Sequence, residues 1–77
     1  VLRIRNCKIS RLEIDLQNLK KLQLLDLRNN ELLNIPQGIE KLTNLSYIWL
    51  DGNKIDSLTN SIYRLPKLQY LGFWGIN

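Results

Sequence analysis

The chain has 77 residues, 44% hydrophobic and 23% charged, a balance that suits a folded unit and excludes a disordered or low-complexity one. Its net charge of +4 and pI near 9.5 raise nucleic acid as a partner, while the absence of histidine removes the commonest general base and metal ligand. No apolar run is long enough to span a membrane, and a single cysteine excludes an internal disulfide, a lean toward a reducing, cytoplasmic compartment.

From the first residue the chain enters a strand: Leu2 and Ile4 alternate with Val1, Arg3 and Arg5. Cys7 and Ile9 follow in a loop, then Leu12, Leu16, Leu19 and Leu22 at helical spacings. The same order then returns 23 residues on: strand slots Leu25 and Leu27, loop slots Asn30 and Leu32, then Ile35, Ile39, Leu42 and Leu45. It returns again as Ile48, Leu50, Asn53, Ile55, Leu58, Ile62, Leu65 and Leu68, and opens a fourth time with Leu71 and Phe73. Across three repeats no apolar slot holds a polar residue. A lone helix or strand has no use for so long a register, whereas a stack of equivalent coils requires it.

Within a coil each part has a physical reason. Leu25-Asp26-Leu27 reads as a half-buried strand. Asn30 and Asn53 stand where the chain leaves the strand, and an amide that both donates and accepts can satisfy stranded backbone groups, so the two are expected to form a ladder. Cys7 takes this slot first and is expected to be buried and inert, while Ile76 takes it last, with Asn77 one place late. Pro36 suits the first turn of a short helical segment through Ile39 and Leu42, and Pro66 should prevent a long helix in the third one. Asn44-Leu45-Ser46 is a glycosylation sequon best read as chance.

The unit Leu25-x-Leu27-x-x-Asn30-x-Leu32-x-x-Ile35-Pro36-x-x-Ile39-x-x-Leu42-x-x-Leu45 resembles a leucine-rich repeat. The Ile-Pro-x-x-Ile tail is similar to repeats of intracellular scaffold proteins, Ras-associated ones among them, and of many bacterial proteins. The resemblance covers the whole chain and implies an α/β fold: a right-handed solenoid with a parallel β-sheet on its concave face and short helical, 3₁₀ or irregular convex segments. The expected organisation is a single segment over residues 1–77, with repeats at about 2–24, 25–47 and 48–70 and a partial one at 71–77. Solenoids need polar caps, and none is legible at either end, so a monomeric fragment of a longer array is expected.

Function in such a fold is expected on the outward strand residues. By register these fall into columns: Val1, Leu24, Tyr47 and Tyr70; Arg3, Asp26, Trp49 and Gly72; Arg5, Arg28, Asp51 and Trp74; and, at the edge, Asn6, Asn29, Gly52 and Gly75. Tyr47, Trp49, Tyr70 and Trp74 cluster at one end, where Gly72 is expected to leave a shallow aromatic pocket. Arg3, Arg5 and Arg28 cluster at the other end with Asp26 and Asp51, and a cross-strand pair of Arg28 with Asp51 is expected. The aromatics read as anchors for a protein or peptide partner and the charges as its polar flank. The competing readings are aromatics that pack only on each other, a Trp74 that covers the end of the stack, a carbohydrate or small-molecule site, and a purely structural segment of a scaffold.

Other classes have less to stand on. Lys20, Lys21, Lys41, Arg64 and Lys67 fall on the convex side and Lys8, Arg11 and Lys54 on loops, away from the aromatics that a nucleic-acid groove would interleave. No carboxylate pair, metal-ligand spacing or glycine-rich phosphate loop is present, so no enzyme activity, cofactor or metal is expected.

Overall fold

The computed structural model describes residues 1–11, 19–56 and 60–74. Four short strands form one parallel sheet among these residues: β1 (Leu2–Arg3), β2 (Leu24–Asp26), β3 (Tyr47–Trp49) and β4 (Tyr70–Gly72), in sequential order. Their pairing carries the repeat into space: Leu2 faces Leu25, Leu25 faces Ile48, and Ile48 faces Leu71. Each strand is only two or three residues long because the chain must turn away to make its coil.

Hydrogen bonding between coils continues past the strands. Leu27 N–H donates to the Trp49 carbonyl at 2.9 Å and Leu50 N–H to the Gly72 carbonyl at 2.7 Å. Beyond them Asn6, Asn29 and Gly52 adopt left-handed backbone, with φ of 58°, 59° and 75°. Asparagine and glycine tolerate this region where other residues pay for a crowded Cβ. At Asn6, Asn29 and Gly52 the edge column of the sequence is therefore a row of tight turns that take the chain off the sheet.

The asparagine ladder forms as expected. Asn53 Nδ2 donates to the Leu27 and Leu50 carbonyls at 2.9 and 2.8 Å, and its Oδ1 accepts from Leu32 N–H at 3.1 Å. Asn30 does the same one coil earlier, donating to the Ile4 and Leu27 carbonyls and accepting from the N–H groups of Cys7 and Ile9. Each amide thus satisfies main-chain groups of two coils at once. Cys7 departs from expectation: it is exposed, and its thiol meets only the Arg5 carbonyl, at 3.1 Å. The slot buries its occupant between two coils, and among the described residues the first coil has a neighbour on one side alone.

Behind the sheet, a 3₁₀ turn at Ile39–Lys41 starts after Gly38, whose φ is 86°. Ile39 N–H reaches back to the Pro36 carbonyl, so Pro36 opens the turn as its fixed φ allows. The third convex segment holds α1 (Asn60–Tyr63), which ends short of Pro66. Leu12, Leu16, Leu58, Gly75, Ile76 and Asn77 lie outside the described residues. Lys20, Lys21, Lys41, Arg64, Lys67, Lys8, Arg11 and Lys54 are all exposed. No helix among the described residues is long and apolar enough to cross a membrane.

The core runs along the stack axis. Leu25, Leu27, Leu32, Ile39, Leu42, Leu45, Ile48, Leu50, Ile55 and Ile62 are fully buried, each contributing roughly 1.5–3 kcal/mol. Leu2, Ile4, Ile9, Leu19, Leu68 and Leu71 are only partly covered. Phe73, expected in the core slot of its strand, is 50% exposed. Its slot has the third coil on one side and no described coil on the other.

The sequon asparagine has a structural post. Asn44 Nδ2 donates to the Lys20 carbonyl at 2.7 Å and its Oδ1 accepts from Lys67 Nζ at 2.9 Å, so the side chain ties three coils on the convex side.

Candidate functional site

Alternation along the strands sends the expected columns to the solvent side of the sheet. Trp49 is half-buried while its neighbour Leu50 is fully buried, so the inward and outward assignments agree with the sequence register. Contacts link Arg3, Arg5, Asp26 and Arg28, and Arg28 in turn to Trp49 and Tyr70, while Tyr47, Asp51 and Trp74 stand beside them in the outward register.

The charged group is built around Asp26. Although its slot faces outward, Asp26 is fully buried, roofed by Arg28 just past its own strand and by Arg3 and Arg5 of the first coil. Arg28 grips it with two parallel hydrogen bonds, Nε to Oδ1 at 2.9 Å and Nη2 to Oδ2 at 2.8 Å, and its backbone N–H adds a third to Oδ1 at 3.2 Å. Arg3 and Arg5 each bring Nε near Oδ2, at 3.7 and 3.6 Å. Burial works to raise the pKa of the Asp26 carboxyl, but the Arg28 hydrogen bonds and the charges of Arg28 and Arg5 outweigh it and hold the pKa below its ordinary value of 3.8. The same side-chain hydrogen bond pushes the Arg28 guanidinium upward. The expected cross-strand partner of Arg28, Asp51, is thus replaced by Asp26. The inter-coil hydrogen bonding continues past β2 through Leu27 and Asn29, so Arg28, two residues beyond Asp26, shares its face, which allows a bidentate grip.

Asp51 is engaged elsewhere. Its Oδ2 accepts the Trp74 backbone N–H at 3.1 Å. Its Oδ1 is buried with no hydrogen-bond partner among the described residues, and lies over Gly72.

The aromatic group differs from expectation at its centre. A Cβ built on Gly72 would stand 2.5 Å from Asp51 Oδ1, 2.7 Å from Trp49 Cδ1 and 3.1 Å from Tyr70 Cε1. Gly72 is buried, so no pocket opens there. The missing side chain instead lets the indole of Trp49 and the carboxylate of Asp51 lie across the strand. Trp49 meets Tyr70 edge to face, with ring centroids 6.2 Å apart at 67°. The Tyr47 hydroxyl donates to Gln69 Oε1 at 3.3 Å, a contact the register did not indicate.

Part of the cluster therefore packs on itself, as one competing reading expected. Yet Tyr47 remains 40% exposed, Tyr70 44% and Trp74 81%. Trp74 is too exposed to act as a cover for the end of the stack. The Arg28 guanidinium carbon lies 4.7 Å from the centroid of Trp49, a cation–π contact that joins the charged and aromatic groups into one surface. The register had placed Arg28 and Trp49 on neighbouring strands, but side-chain directions were needed to show that one roofs the other.

A repeat of 23 residues, a parallel sheet in sequential order and a buried asparagine ladder now stand together. The family model for leucine rich repeats matches residues 1–55 and again 20–73. No curated protein matches the chain. Because the two overlapping matches cover nearly its whole length, the chain belongs to the leucine-rich repeat family, whose members generally mediate protein–protein interaction.

Proposed function

We propose that this segment, read as repeats at about 2–24, 25–47 and 48–70 with a partial fourth at 71–77, binds a protein or peptide partner on the concave, solvent-facing side of its sheet. Tyr47, Trp49, Tyr70 and Trp74 act as anchors, and Arg3, Arg5, Asp26, Arg28 and Asp51 form the polar flank. The reading involves binding without chemistry, and leucine-rich repeats are typically non-enzymatic interaction modules. The observation that supports it is the exposure of Tyr47, Tyr70 and Trp74, residues that the strand register assigns to one face. Large aromatics left in water beside a fixed guanidinium match the composition of interface anchors.

Two details favour a peptide over a sugar. A sugar site needs accessible directed polar groups, and both acidic candidates are withdrawn from solvent or engaged, the unpaired Oδ1 of Asp51 being buried over Gly72. Asp26 is buried beneath arginines, and Asp51 Oδ2 is taken by the Trp74 N–H.

The test is Trp74→Ala, compared with Tyr63→Ala on α1 as a control for removal of an exposed aromatic from another surface. The expected outcome is loss of captured protein partners for Trp74→Ala alone, with the unfolding midpoint unchanged in both variants. Retention of the same partners by Trp74→Ala rejects the aromatic face as the binding surface, and capture abolished by free oligosaccharide reassigns it to sugars.

A further inference from the structure

Three guanidiniums converge on one carboxylate: Arg3, Arg5 and Arg28 all lie within 4 Å of Asp26. This leaves an excess of two positive charges within the cluster, three arginines against one aspartate. The excess is not evenly shared. Arg28 spends Nε and Nη2 on Asp26, and its plane is set against Trp49. Arg3 and Arg5 approach at 3.7 and 3.6 Å, beyond good hydrogen-bonding distance, with about half of each side chain in water. A guanidinium carries five N–H donors in a planar fork that matches a carboxylate.

Asp26 therefore serves as an internal counter-ion rather than as a contact. It draws the two long side chains of Arg3 and Arg5 inward, so part of the ordering cost of binding is met before a partner arrives. It is also too deeply buried to repel an incoming anion directly. Asp51, the other acid on this face, lies over Gly72 toward β4, away from β1.

We propose that the partner's docking segment is acidic: an extended stretch of protein whose side-chain carboxylates seat on Arg3 and Arg5. This rests on the sheet face being the binding surface. Strand spacing adds a length. Arg3 lies on β1 and Trp74 follows β4, and three strand intervals span about 14 Å. An extended segment covers that in about four residues. Carboxylates on Arg3 and Arg5 thus place an apolar side chain about four residues away over the aromatics.

The experiment measures fluorescence anisotropy of a labelled heptapeptide, Glu-Glu-Glu-Gly-Ser-Phe-Leu, and of its reversed order, against the protein. Companion peptides carry glutamine or lysine in place of glutamate. The glutamate peptide should bind in at least one order, weaken as salt rises, and lose about tenfold in affinity when glutamate becomes glutamine. Arg3→Gln/Arg5→Gln should lose a similar factor while its unfolding midpoint holds, because Arg28 still satisfies Asp26. Equal binding of the glutamine peptide overturns the inference, as does unchanged binding by the arginine variant or no saturable binding in either order. Tighter binding of an oligothymidylate that depends on Arg3 and Arg5 also overturns it, in favour of phosphate. A Trp74→Ala arm separates the two readings. Equal glutamate and glutamine binding that both fall in Trp74→Ala removes the acidic preference and leaves the binding face. Glutamate-selective binding that ignores Trp74 leaves the acidic preference and removes the aromatic anchors.

Discussion

Asn53 shows how one side chain can hold two coils together. Its amide satisfies two carbonyls and one N–H that the turn strands in the interior. Asn53→Ala leaves these groups without partners and is expected to destabilise the protein by roughly 3 kcal/mol in urea unfolding. Cys7→Ala, in the same slot of the first coil, should change stability by less than about 0.5 kcal/mol, because the thiol is exposed. The ladder was readable because asparagine recurs where backbone must be satisfied. The exposure of Cys7 was not, because a repeat pattern treats all copies alike. Asp26 is a second case. Its folded pKa is depressed, so its ion pairs contribute stability that is complete above the ordinary value of 3.8 and is lost as pH falls through the lower folded value. Unfolding midpoints measured at successively lower pH should show this loss. In Asp26→Asn the baseline should be lower at neutral pH and the acid-dependent step smaller.

Among elements, the strands were the most legible part, since alternation sorts Leu25 and Leu27 inward from Asp26 and Arg28. The period called for a stack of equivalent coils, and the parallel pairing was what the leucine-rich repeat resemblance implied. The use made of Gly72 was not legible. An absent side chain in β4 reads as a gap, but space beside a flexible indole does not stay empty when Trp49 can lie across it. Gly72→Ala forces Trp49 and Asp51 to move and should cost about 1–3 kcal/mol, with a shift in tryptophan emission as the Trp49–Tyr70 contact is disturbed. A wild-type emission spectrum and midpoint in this variant would mean that the indole does not rest there. On the convex side, Pro36 opens the 3₁₀ turn and α1 stops before Pro66, both from proline's fixed φ and missing N–H. Which segment would take a 3₁₀ turn and which an α-turn was undecided by the spacing, since both place residues three apart on one side.

For the whole molecule, stability comes from repeated nearest-neighbour burial, so it should be graded along the stack. Leu27 and Leu50 lie in fully buried coils, while Ile4 lies in a partly covered one. Amide hydrogen exchange should therefore be slower at Leu27 and Leu50 than at Ile4, although all three N–H groups are hydrogen-bonded across strands. Uniform protection would mean that the coils unfold as a single cooperative unit. The period carried the stacking of coils, because a buried slot excludes polar residues wherever it recurs, and the leucine-rich repeat resemblance supplied the solenoid with its parallel sheet. Composition and register also placed the outward columns, with the aromatics at one end and the arginines at the other. Three things required coordinates: that Asp26 is sealed beneath Arg28 with Arg3 and Arg5 beside it, that Arg28 lies over Trp49, and that Gly72 is filled rather than open. The difference has one physical source. Burial along a repeat is set by backbone geometry, which the period encodes, whereas long side chains on a solvent face choose their directions by contacts between strands that are far apart in the chain.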